Sequence, residues 1–119
     1  MRVVELRDET GAVVCARCSL ATNPWTRLRG LLGRSGLDDD EGLLIRPTSS
    51  IHMFGMRFPI DAVFLDRELV VMRVVAGLEP WRTASQRRAK AVLELPAGAA
   101  GRAGIREGSR LSLGSGPRD

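Results

Sequence analysis

The chain has 119 residues, 44% of them apolar and 27% charged, a globular balance that suits one core and excludes a disordered chain. A net charge of +4 and a pI near 10.4 come from seventeen arginines and one lysine, Lys90, with acids interspersed and no block of five like charges, a pattern that argues against a dedicated polyanion binder. No apolar run reaches about 18 residues, and Arg2, Glu5, Arg7 and Asp8 stand where a secretory leader needs an unbroken apolar stretch, so a cytoplasmic protein without a membrane span is expected.

"RVVELR" (2–7) and "AVVCARCSL" (12–20) flank "DETG". Two β-branched runs around such a turn predict a hairpin. The second run holds both cysteines, Cys15 and Cys18. One C-x-x-C is half a zinc site, and a redox pair would open a helix rather than lie in a strand. Residues i and i+3 of a regular strand point to opposite faces. The thiols are therefore expected to diverge, and no metal or cofactor is expected.

"TNPWTRLRGLLGRSG" (22–36) predicts an α-helix over about 23–34. Asn23 suits the N-cap, Pro24 the first helical position, and Gly33 or Gly36 the end. Trp25, Leu28 and Leu32 form one apolar stripe, leaving Arg27, Arg29 and Arg34 on a solvated face. "LDDDEG" (37–42) is acidic but does not alternate its ligands as an EF-hand loop does, and reads as a solvated turn. Strands are predicted at "GLLIRP" (42–47), "SIHMFGM" (50–56), "IDAVFLD" (60–66), "ELVVMRVVAG" (68–77), "KAVLELP" (90–96) and "SRLSL" (109–113). "RFP" between the second and third would fold them into a hairpin, since Pro59 cannot donate to a ladder. In that register Met56 faces Asp61, and His52 faces Leu65. Residues 78–88 form a polar loop, 97–108 are Gly/Ala-rich with a short helical turn near 98–104, and 114–119 form a tail. The expected fold is mainly β, a compact β-sandwich or barrel-like domain over residues 1–113.

Five residues stand out chemically. His52 is the only histidine, and it shares a strand face with Phe54 and Met56. Asp61 and Glu94 lie inside apolar strands, where a carboxylate needs backbone amides or an arginine as partner. Arg57, Arg73 and Arg82 are candidates for that arginine. Trp81 and Arg82 open the segment "WRTASQRRAK" (81–90), a pairing common at interfaces. The site expected is a rim where His52, Asp61 and Glu94 converge with Trp81 and Arg82 nearby. A His52–Asp61 dyad is not expected from the hairpin register.

"FPIDAVFLD", "VVMRVVAGLEPWR", "AVLELPAG" and "GIREGSRL", in that order and spacing, resemble the DUF192 family of small bacterial and archaeal proteins. "RGLLGR" (29–34) is similar to its early Gly-Leu-Met-x-Arg element. The resemblance runs from about Ala21 to Leu111. It implies a β-sandwich or barrel-like domain, no established activity and no catalytic residue to carry over. Asp61, Glu94 and Gly98 match the family pattern. Phe54 and Gly55 replace a common Lys-Asn, and Ser109 replaces a common Asp. The expected function is a non-catalytic binding or accessory module for a small molecule or protein. The alternatives are a small hydrolase using Asp61 or Glu94 as acid/base, and weak nucleic-acid binding through residues 82–90.

Overall fold

The computed structural model describes residues 2–23, 26–27 and 30–114. Its strands are β1 (Arg2–Asp8), β2 (Val13–Ala21), β3 (Glu41–Ile45), β4 (Ser50–His52), β5 (Ile60–Leu65), β6 (Val71–Leu78), β7 (Thr83–Ser85), β8 (Ala91–Pro96) and β9 (Leu111–Leu113). One short helix, α1 (Ala99–Arg102), follows β8.

Seven strands form one sheet in the order β6-β5-β8-β3-β2-β1-β9, and β4 pairs with β7 separately. All neighbours in the large sheet are antiparallel except β2 and β3. The sheet curls until its edges touch. Val70 bridges Arg110, the Val71 amide donates to the Ser109 carbonyl at 2.8 Å, and the Leu111 amide donates to the Leu69 carbonyl at 2.9 Å. The fold is thus mainly β and curled into a half-barrel, as the run of short strands predicts. Closing the edges also satisfies backbone groups that an open sheet would expose.

β5 and β8 each have a strand on both sides, and their "IDAVFL" and "AVLEL" runs are buried throughout. Continuous apolar runs are what strands covered on both faces require. Val63, Leu65, Leu93 and Leu95 face the barrel core with Val4, Leu6 and Leu44. Ile60, Ala62, Phe64 and Val92 face a second cluster with Leu31, Met53 and Met56.

Three local expectations are corrected. The hairpin of residues 50–56 with 60–66 does not form. β4 pairs instead with β7, so His52 lies opposite Thr83, while β5 takes β6 and β8 as neighbours. With a partner available on each side, β5 leaves no free edge for β4. The helical segment after β2 starts as expected. The Asn23 Oδ1 accepts the Thr26 amide at 2.9 Å, and Thr26 and Arg27 are helical. It stops early, because Gly30 has φ +50° and Gly33 φ +85°, left-handed values that end a helix. Pro24, Trp25, Leu28 and Arg29 lie outside the described residues.

The cysteines do not diverge. Val4 pairs with Cys18 and Leu6 with Cys15, so three steps along β2 oppose two along β1. That extra residue is a β-bulge. It turns both thiols inward beside Val4 and Leu6, where Cys15 is 2% and Cys18 0% exposed. The contact with Cys15 and burial together push the Cys18 thiol pKa upward. Cys18→Ser is expected to destabilise by about 1–3 kcal/mol in urea unfolding, because the new hydroxyl is buried among apolar side chains. An unchanged midpoint would mean that the hydroxyl finds a partner.

The acidic loop is tied down rather than merely solvated. Arg17 grips Asp40 through two bonds of 2.8 Å, and Arg34 binds Glu41 at 2.9 Å. These pairs sit where β2 and β3 begin their parallel pairing, and being exposed they add little stability.

Candidate functional site

Alternation along β5 sends Asp61 towards the barrel core with Val63 and Leu65. Asp61 is 0% exposed. One oxygen, Oδ1, accepts the Gly77 amide at 2.9 Å. The other, Oδ2, accepts the Gly98 amide at 3.0 Å and the Ala100 amide at 2.9 Å. Gly77 lies where β6 carries one residue more than β5, between the Ile60–Leu78 and Ala62–Val75 pairs. The carboxylate therefore satisfies an amide freed by that bulge and two at the start of α1. Gly77 and Gly98 have φ +63° and +92°, which glycine adopts without strain. Among the described residues no arginine takes part; the partners of Asp61 are backbone amides, which tie it into the scaffold.

Glu94 points the other way. Asp61 pairs with Leu95, and Ala62 with Glu94, so the two carboxyls lie on opposite faces of the sheet and do not converge. Glu94 faces a cavity of about 350 Å³ lined by Arg27, the 30–32 turn, Ile45, residues 47–48, 50–53 and Met56. Its side chain is only 5% exposed and makes no hydrogen bond with the described residues. Burial pushes its pKa up to about 7, because the carboxylate loses its water without gaining a donor from the described residues.

The cavity lies between the large sheet and the segments that cover it. After β3 a cis bond joins Arg46 to Pro47, and the chain passes through Thr48 into β4. Ile51, Met53 and Met56 then give the cavity an apolar lining, as do Leu31 and Leu32. Arg27, expected on a solvated face, lines this cavity. Its Nη1 donates to the Pro47 carbonyl at 3.1 Å, and its Nε is buried without a hydrogen-bond partner. No ion pair joins Arg27 to Glu94.

His52 also lines the cavity. Its ring stacks on Phe54 at 4.9 Å, and Phe54 stacks on Trp81 at 6.1 Å. Phe54 is 48% and Trp81 67% exposed, so the rings form a ladder on the surface. Trp81 holds a left-handed φ of 70°, with its amide donating to the Met53 carbonyl at 2.8 Å. The Arg82 carbonyl accepts the Met53 amide at 2.8 Å, and its side chain is exposed. No hydrogen bond or ion pair links His52 to a carboxylate among the described residues.

Of the five sequence candidates, His52 and Glu94 share the cavity, and Trp81 joins it through the ring ladder. Asp61 is on the far face, and Arg82 is present through its backbone. Arg27 and the Ile51–Met53–Met56 wall were not singled out. Helical spacing sent Arg27 outward, and nothing local marks which strand β4 will pair with. Among the described residues, no group of three or more His, Cys, Asp or Glu side chains could hold a metal.

Comparison with known proteins agrees with this architecture. The model of the DUF192 family, described as an uncharacterized ACR, matches residues 5–113. No curated protein matches. A crystal structure from Sinorhizobium meliloti 1021, called a "putative transcription regulator", is similar with a TM-score of 0.81 and 25% identity, covering 93% of this chain and 92% of that one. A protein of unknown function from Novosphingobium aromaticivorans DSM 12444 is similar with a TM-score of 0.79 and 27% identity, covering 92% of this chain and 83% of that one.

Proposed function

The chain belongs to the DUF192 family, and on that premise we propose that it is a binding module whose cavity beside Glu94 receives a small molecule. One observation carries this reading. A carboxyl 5% exposed lies in an open cavity without a hydrogen-bond partner among the described residues. Burying such a group costs several kcal/mol unless something satisfies it. A cavity of about 350 Å³ falls at the small end of ligand pockets, which span about 300–1,000 Å³. Apolar walls with few polar groups are the usual character of such sites.

A carboxyl with a pKa of about 7 also suits general acid–base chemistry. The binding reading is preferred because, among the described residues, no side chain hydrogen-bonds to Glu94 and His52 is bonded to no carboxylate. Asp61 accepts three backbone amides on the opposite face of the sheet, which supports a structural role for it.

The test is a fragment mixture titrated into the full chain and followed by amide NMR. Shifts are expected at Leu31, Ile51, Met53 and Glu94, and should vanish in Ser50→Trp, where an indole would cover the mouth from an exposed position. Shifts that persist in Ser50→Trp, or a mixture that moves none of these amides, would sink the proposal.

Exposed Trp81 and the basic residues of 82–90 offer a platform for nucleic acid. A net charge of +4 with interspersed acids supports only weak attachment. Binding to a random single-stranded oligonucleotide is expected to collapse with added salt, since phosphate contacts act through counterion release. Sequence-dependent binding at physiological salt would contradict this.

A further inference from the structure

The cavity holds two opposite charges that do not meet. Glu94 comes from the sheet and accepts no hydrogen bond from the described residues. Arg27 comes from the helical turn after β2, half-buried, with Nε enclosed and unpartnered. Both line the same cavity, yet no ion pair joins them. Leu31, Ile45, Ile51, Met53 and Met56 line the same cavity. A cation alone would satisfy Glu94 but be repelled by Arg27. An anion alone would suit Arg27 and be repelled by an ionised Glu94. A molecule bearing both charges around an apolar body answers both groups and the walls.

We propose that the pocket binds a small zwitterion with an apolar middle, an amino acid with an aliphatic or thioether side chain, its ammonium on Glu94 and its carboxylate on Arg27. This rests on the small-molecule reading above and names the ligand class for that site. The ammonium supplies donors to the buried Glu94 carboxyl, which receives none from the described residues. The guanidinium, one nitrogen of which is held by the Pro47 carbonyl, offers its remaining donors to a carboxylate, the charge-assisted contact that arginine favours. The aliphatic or thioether side chain lies against Met53, Met56 and Ile51, where methionines adapt to varied shapes.

Calorimetric titration of the full chain separates the contributions. The probes are L-leucine and L-methionine, with 3-methylbutan-1-amine lacking the carboxylate and 4-methylpentanoate lacking the ammonium. The better amino acid is expected to bind about ten-fold or more tightly than either truncated probe, the worth of a charge-assisted hydrogen bond. Glu94→Gln should erase the preference over 4-methylpentanoate, and Arg27→Met the preference over 3-methylbutan-1-amine. Both variants retain their folds if their amide spectra match the wild type outside the cavity. A truncated probe that binds as tightly as the amino acids would overturn the proposal, as would preferences unchanged in both variants. If neither amino acid binds while fragments still shift the cavity amides, the zwitterion assignment fails and the pocket stands. If fragments also fail, both fall.

Discussion

Asp61→Asn is expected to destabilise the protein nearly as much as Asp61→Ala, by about 3 kcal/mol or more. The reason lies in how the three amides divide between the two oxygens. Oδ1 serves Gly77, and Oδ2 serves both Gly98 and Ala100. A carboxamide has one acceptor oxygen and one NH₂ group. Whichever way it turns, its nitrogen faces at least one backbone N–H, donor against donor. Alanine leaves all three amides unsatisfied in a site that is 0% exposed, at about 1–3 kcal/mol for each buried group. Urea unfolding measures the loss. Hydrogen exchange should locate it, with faster exchange at Gly77, Gly98 and Ala100 than at the centre of β8. A midpoint equal to wild type in either variant would remove Asp61 from the scaffold.

Glu94→Gln is expected to stabilise the protein above neutral pH and to change it little in acid. Burial raises the folded pKa from an ordinary 4.5 to about 7. Below 4.5 both folded and unfolded chains hold the proton, and the group carries no ionisation penalty. Between 4.5 and about 7 the unfolded chain releases its proton while the folded chain keeps it. Stability therefore falls as pH rises through this window and levels off above it. The full difference is about 3 kcal/mol, at roughly 1.4 kcal/mol per pH unit. Glutamine has no proton to lose, so the variant's advantage should grow from near zero at acid pH to about that size in alkali. Taking variant minus wild type cancels the titration of groups elsewhere. Urea unfolding of both proteins across this pH range decides it. A difference that does not change with pH would mean that Glu94 is not held in an uncompensated site. The same variant is predicted to lose a ligand contact, so gain of stability with loss of binding is the signature of a group kept for function.

Much of the scaffold is legible along the chain. β-branched runs mark β1, β2, β5, β6 and β8 because a strand's side chains repeat every two residues, a local property. Unbroken apolar character in "IDAVFL" and "AVLEL" announces the two strands buried on both faces. Asn23 marks its cap, and Gly98 sits where α1 begins in a left-handed turn, since these depend on one residue and its neighbours.

The site was decided elsewhere. Asp61 and Glu94 look alike in sequence, each an acid between aliphatic neighbours. Only the register of β5 against β8, set by segments some thirty residues apart, puts them on opposite faces. One then receives three amides, and the other faces a cavity. The bulge that aligns Cys15 with Cys18 arises from pairing with β1, and a regular strand would have parted them. His52 joins the cavity because β4 leaves β5 and pairs with β7. Period-two patterning states which residues alternate, but not which neighbour a strand will choose or where its ladder skips a residue. Those choices follow from filling the half-barrel and closing its edges, and they are energies of the whole fold rather than of any one segment.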